Sequence, residues 1–110
     1  MTAYKVIVTK KADKDEERIY NYISKEFGQI YADKFRDKLI ELFKLLSKQP
    51  LLGRPAKNRA MLRVYIFSKQ NKLVYKVTEN EIIILRLVNY HRQRRWLEGE
   101  AQRAKIVQAG

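Results

Sequence analysis

The chain has no cysteine and only one histidine among its 110 residues. No disulfide framework, thiol nucleophile or cysteine-based zinc site can be built, and a histidine-rich metal site is excluded as well. Long apolar runs are also missing. The longest, Ile82–Leu85, is four residues, against the roughly 20 a helix needs to span a bilayer. The opening MTAYKVIVTKK lacks the apolar core and small-residue cleavage site of a signal peptide. These absences make a reducing cytoplasm the expected location, with no membrane association and no metal or cofactor. Prolines number two, both within PLLGRPAKNRA (50–60), which marks the one loop of any length. Repeats and low-complexity tracts are absent.

Against this background, 45% hydrophobic residues beside 33% charged ones indicate a globular chain. Its length suits one domain with a single core. The net charge of +12 is unevenly placed: residues 1–50 carry 11 Lys/Arg against 8 Asp/Glu, and residues 51–110 carry 13 against 4. Eight of the ten arginines fall in the second half. Arginine's planar fork suits bidentate capture of phosphate or carboxylate. The second half is therefore shaped to meet an anion, nucleic acid, an acidic protein or both in turn, although charge kept only for solubility is the plainer alternative.

YKVIVT (Tyr4–Thr9) reads as a β-branched strand. A helix follows from about Lys11 or Ala12, with Asp13, Asp15, Glu16 and Glu17 favouring its N-terminal dipole. Ala12, Ile19 and Ile23 share a face, and Gly28 is a stop. Ala32, Phe35, Leu39, Leu42, Phe43 and Leu46 step by three and four, predicting a second helix from about Gln29 to Lys48. So short a link predicts an antiparallel hairpin. After the proline-marked loop come three strands, Leu62–Phe67, Lys72–Val77 and Glu81–Val88, joined by connections short enough for β-hairpins. Alternation puts Leu73, Tyr75 and Val77 on one face and Lys72, Val74 and Lys76 on the other. In the last strand it puts Ile83, Leu85 and Leu87 together, with Arg86 opposite beside Ile82, Ile84 and Val88. The result is an α+β fold in the order β-α-α-β-β-β: an N-terminal strand and helical hairpin on a small antiparallel sheet. One sheet face should lie under the helices and the other, bearing lysine and arginine, at least partly open. Residues 96–110 read as an extension, helical or disordered, in which Trp96 with Leu97 serves as a hydrophobic anchor.

The hairpin-first order, a P-x-x-G-R loop at Pro50–Arg54, a K-L-V-Y-x-V strand at Lys72–Val77 and an I-L-R strand leading to H-R at His91–Arg92 accumulate. From about Tyr4 to Arg95 the chain resembles the RelE/ParE family of bacterial toxins from type II toxin–antitoxin pairs. The resemblance implies a toxin domain over residues 1–95 and a cognate acidic antitoxin as partner. It also implies one of two targets. RelE-like members cut messenger RNA on the ribosome, as metal-independent endoribonucleases, whereas ParE-like members poison DNA gyrase. The long second helix and PLLGRP look more like ParE, and HRQRR looks more like the arginine-bearing end of RelE.

Metal-free RNA cleavage needs a base for the 2′-hydroxyl, positive charge on the phosphorane and an acid for the leaving oxygen. By resemblance to RelE, Arg92 stands where a phosphate-stabilising arginine is kept, Lys72 where another arginine is kept, and Arg63 at a basic position of the first of the three strands. Tyr65 replaces a second lysine. His91 could supply acid–base chemistry because histidine titrates near neutrality. Its plainer role is a hydrogen-bonding strand end. Tyr90 or Trp96 could stack on a base. Arg92, Arg94 and Arg95 crowd like charge into NYHRQRRW, which favours a neutralising partner. Arg86 is either a further target contact or a structural ion pair with a helix carboxylate such as Glu41. A non-catalytic nucleic-acid or protein-binding module is the reading from another functional class.

Overall fold

Thr9 sets the joint between the first strand and the first helix. Its backbone is extended (φ −71°, ψ 162°), and its hydroxyl accepts from the Ala12 amide at 3.2 Å, capping the helix. The same hydroxyl donates to the Ile84 carbonyl at 2.8 Å, which ties that cap to the sheet. A computed structural model describes residues 3–57, 59–68 and 71–89. Its elements are β1 (Lys5–Val8), α1 (Lys10–Phe27), α2 (Gln29–Lys48), β2 (Arg54–Ala56), β3 (Arg59–Ser68), β4 (Asn71–Val77) and β5 (Glu81–Asn89). Gly28 separates the helices at φ +106°, a backbone conformation that glycine adopts without a Cβ clash. Its amide donates to the carbonyls of Ile23 and Ser24, closing α1.

The buried residues of α2 are Ala32, Phe35, Leu39, Leu42 and Leu46, the stripe its sequence spacing predicts. Across the hairpin, the Arg36 guanidinium lies 3.7 Å from the centre of the Tyr20 ring and donates to Glu16 at 2.7 Å. Tyr20 in turn donates to Asp33 at 2.7 Å. These contacts join the polar flank of the helix pair above its apolar one.

The sheet has five strands in the order β1-β5-β4-β3-β2. It is mixed rather than antiparallel, because β1 pairs with β5 in parallel, with Lys5 opposite Glu81 and Val8 opposite Ile84. The helical hairpin carries the chain to the far edge, and the antiparallel meander then walks back to β1. Inside the expected loop, Arg54–Ala56 forms an additional edge strand on β3, with Pro55 opposite Arg63. A proline is tolerated there because an edge strand has one side without ladder bonds.

The face assignment for β4 holds: Leu73 and Tyr75 are fully buried. That for β5 does not. The buried residues are Ile82, Ile84 and Leu87, because Val74 faces Arg86 while Tyr75 faces Ile84, leaving Leu85 as an extra residue in a bulge. One inserted residue reverses the inside–outside phase of the rest of a strand. Ile82 and Ile84 thus join Leu73, Tyr75, Leu39, Leu42 and Leu46 in one core between sheet and helices. Each such side chain contributes roughly 1.5–3 kcal/mol by leaving water.

Candidate functional site

The face of the sheet turned away from the helices is built in cross-strand rows. Register sets Arg54, Val64, Val74 and Arg86 in one row, Ile66, Lys72 and Val88 in a second, and Leu62, Lys76 and Ile83 in a third. Every row therefore carries a cation among β-branched or aliphatic side chains. Ile66 is exposed, and the other apolar members are half-buried. Such a surface suits an amphipathic, acidic ligand: the apolar side chains reward contact and the cations fix its polarity. Lys72 and Arg86, two of the sequence candidates, are neighbours on it.

Arg86 is held by a carboxylate, and the partner is Asp15 rather than the expected Glu41. The carboxylate Oδ2 accepts from Arg86 Nε at 2.7 Å and from the Leu87 amide at 3.0 Å, and Oδ1 accepts from Arg86 Nη2 at 3.2 Å. Arg18, one turn along α1, also donates to Oδ1. Asp15 is only 2% exposed. Burial would raise its pKa, but the Arg86 bond, the Leu87 amide and the charges of Arg86 and Arg18 outweigh it and hold the group below its ordinary value. The reason for the arrangement is the edge of β5. Its pairing with β1 ends at Ile84, and beyond it Thr9 serves the Ile84 and Leu85 carbonyls while Asp15 serves the Leu87 amide. Among the acids of the first turns, Asp15 and Glu16 both stand three or four residues from Ala12 and Ile19, and of the two Asp15 is the buried one. That spacing narrows the carboxylate to two candidates: Glu16 takes Arg36 across the hairpin, and Asp15 serves the β5 edge.

Arg63 lies elsewhere. It is opposite Tyr75, whose side chain is buried beneath the helices, so Arg63 and Lys72 project from opposite faces. The Arg63 guanidinium donates to the Gly53 carbonyl and, at 3.4 Å, to that of Leu51. Beside it the Tyr75 hydroxyl donates to the Pro50 carbonyl at 2.9 Å and accepts from the Gly53 amide at 2.7 Å. Burial raises the Tyr75 pKa, with the Gly53 amide and the Arg63 charge acting in the opposite sense. A Cβ on Gly53 would meet the Val64 carbonyl oxygen at 2.7 Å and the Tyr75 ring at 2.9 Å. The glycine of PLLGRP thus allows the loop to lie against the sheet, and Arg63 with Tyr75 fastens it there. Tyr65, opposite Leu73, packs against the same core.

An apolar cleft of about 220 Å³ opens between α1, α2 and the β1 side of the sheet. Val8, Leu39, Ile40 and Phe43 line it, with Glu16 and Arg36 among its polar members. His91, Arg92, Arg94, Arg95, Tyr90 and Trp96 lie outside the described residues, as does the extension 96–110. Among the described residues, no helix is long and apolar enough to cross a membrane.

Known folds and sequence families give this geometry its context. The arrangement is similar to a chromosomal ParDE toxin–antitoxin system from P. aeruginosa, at 22% identity and TM-score 0.68 over 79% of this chain and 96% of that one. It is also similar to the RelBE2 toxin–antitoxin complex of Mycobacterium tuberculosis (20% identity, TM-score 0.58, 79% and 98% covered). A third likeness is the YoeB dimer of Staphylococcus aureus (23% identity, TM-score 0.56, 81% and 98% covered). No curated protein gives a significant sequence match. The family model described as the ParE toxin of the type II toxin–antitoxin system parDE matches residues 6–96, most of the chain. The chain is a member of the ParE family of type II toxin–antitoxin toxins, within the RelE/ParE superfamily.

Proposed function

We propose that this toxin arrests growth by poisoning DNA gyrase and is silenced by a cognate acidic antitoxin laid across the open face of the sheet. The observation that carries the choice of target is the separation of Arg63 from Lys72. Groups that cleave a phosphodiester must converge on one phosphorus within hydrogen-bond reach. Here Arg63 turns to the helix side and donates through Nη1 to the Leu51 and Gly53 carbonyls, while Lys72 faces the other way. The sheet rows bearing Lys72, Lys76 and Arg86 support the antitoxin surface, and the cleft beside Val8 and Phe43 offers a place for an apolar anchor. The P. aeruginosa relative is described as a ParDE system, which agrees with such a pairing.

A second reading, a ribosome-dependent messenger RNA endonuclease, is favoured by one contact. Asn89, the last described residue of β5, donates to Asn71 at 2.9 Å, so the described end of that strand lies beside the Asn71–Lys72 backbone. Arg92 would then stabilise the phosphorane and His91 transfer a proton, with Arg94, Arg95, Tyr90 or Trp96 holding the RNA. Induction of the toxin, followed in parallel by primer extension on ribosome-bound transcripts and by mapping of gyrase-dependent DNA breaks, separates the two. Breaks without transcript cleavage are expected. Codon-positioned cleavage without breaks would replace the gyrase reading with the endonuclease.

A further inference from the structure

A second charged surface lies on α1, around the β5 edge from the open sheet face. Lys11, Lys14, Arg18 and Lys25 are all exposed. At 3.6 residues per turn their spacing places them on one stripe about 21 Å long. The neighbouring acids Glu17 and Glu26 lie about 60° beyond the two edges of the stripe, one on each side. Asp15 borders the stripe, yet it adds no net negative field. Two guanidinium groups, Arg18 and Arg86, share its one carboxylate, and their side chains stay 51% and 45% exposed. Both donate through Nη2 to Oδ1, which fixes the two forks side by side with one positive charge in excess.

We propose that this stripe, continued by Arg86, is a track for the phosphate backbone of duplex DNA. Three features favour that ligand. The cations sit along a straight, rigid rod, as do the charges of a duplex, which carries a phosphate charge every ~1.7 Å of axis. An acidic peptide would need apolar anchors to hold it, and the apolar residues of α1 near the stripe, Ala12 and Ile19, are turned inward and buried. Single-stranded nucleic acid is held largely by stacking on successive aromatic platforms, whereas one ring, Tyr22, falls on this line. The inference concerns DNA binding by the toxin itself and stands or falls apart from the identity of its target.

The test uses the full chain and a short fluorescent DNA duplex, with binding followed by anisotropy across about 50–200 mM salt. Two variants remove equal charge from different places: K11Q/K14Q/K25Q from α1 and K38Q/K44Q/K48Q from exposed positions of α2. Glutamine has nearly the helix propensity of lysine, so both helices are kept. For the parent, log K should fall with log salt at about 0.9 per phosphate contact, and the α1 variant should flatten that slope by between about two and three. It should also lose at least about tenfold in affinity at the lowest salt, while the α2 variant changes by less than about threefold. Equal losses in the two variants would overturn the track in favour of unspecific attraction. Tighter binding of a single-stranded RNA than of the duplex would overturn it too. So would an α1 variant that loses a glutamate-rich peptide and keeps the duplex.

Discussion

Asp15→Ala is the most searching perturbation of this fold, because one carboxylate serves a sheet edge and two arginines. Its removal leaves the Leu87 amide without the acceptor it has at 3.0 Å. An unsatisfied buried donor costs about 1–3 kcal/mol. The ion pairs add less than the 3–5 kcal/mol of a fully buried pair, since both arginines are about half exposed and can return to water. A total of about 2–3 kcal/mol is expected, read as a lower urea midpoint at unchanged slope. Asp15→Asn keeps an acceptor for Leu87 and should lose about 1–2 kcal/mol. The pH dependence separates charge from hydrogen bonding. The folded-state pKa of Asp15 lies below its ordinary value, so the charge contributes stability that is fully present above the unfolded pKa of about 3.9. That contribution is lost as pH falls from there through the folded value. The gap between the parent and Asp15→Asn should therefore be constant near neutrality and shrink below about pH 4. A gap that stays constant into acid, or an Asp15→Ala cost under about 0.5 kcal/mol, would refute the reasoning.

Tyr75→Phe removes the acceptor of the buried Gly53 amide and should cost about 1–2 kcal/mol in urea unfolding. Gly53→Ala must displace either the Val64 carbonyl or the Tyr75 ring and should cost about 1–3 kcal/mol by the same measurement. Arg63→Ala should lower stability by about 1 kcal/mol through the loosened loop. Lys72→Ala should leave stability within about 0.5 kcal/mol and weaken antitoxin association in a salt-dependent way, checked by stopped-flow at two ionic strengths. With gyrase as target, His91→Ala should keep full growth arrest, and Arg92→Ala should weaken it with no pH signature. A loss of about a hundredfold or more in transcript cleavage in both variants would instead assign them acid–base and phosphorane-stabilising roles.

Most of the fold was legible because its signals are local and periodic. The three- and four-residue steps of α2 and the glycine before it needed no tertiary information. The parallel seating of β1 on β5 was not legible, since pairing between residues some 75 positions apart leaves no trace in either strand alone. Nor was the Leu85 bulge. The four residues up to it, Ile82–Leu85, are all apolar, so on that side alternation had no polar marker to reveal the change of phase. Arg86, the polar residue just after it, lies on the open face that the alternation had given it.

The site residues divide along the same line. Arg63 and Lys72 both read as basic side chains on neighbouring strands, and the sequence made them alike. What distinguishes them is parity across the β3–β4 ladder: Arg63 faces Tyr75, and Lys72 faces Ile66. Parity sends one guanidinium under the helices, where the carbonyls of Leu51 and Gly53 take it up, and leaves the lysine on the face that a partner can reach. Charge by itself therefore did not define the site. A cation in this fold belongs to the loop clamp, to the β5 edge through Asp15 or to the open face according to which side of the sheet it leaves. With Ile82 and Ile84 inside, the bulge turns Leu87 inward and Arg86 to the outer surface together. The same inserted residue thus packs the core under α1 and holds a cation beside Lys72, which couples the stability of the β5 end to the charge of the surface it presents.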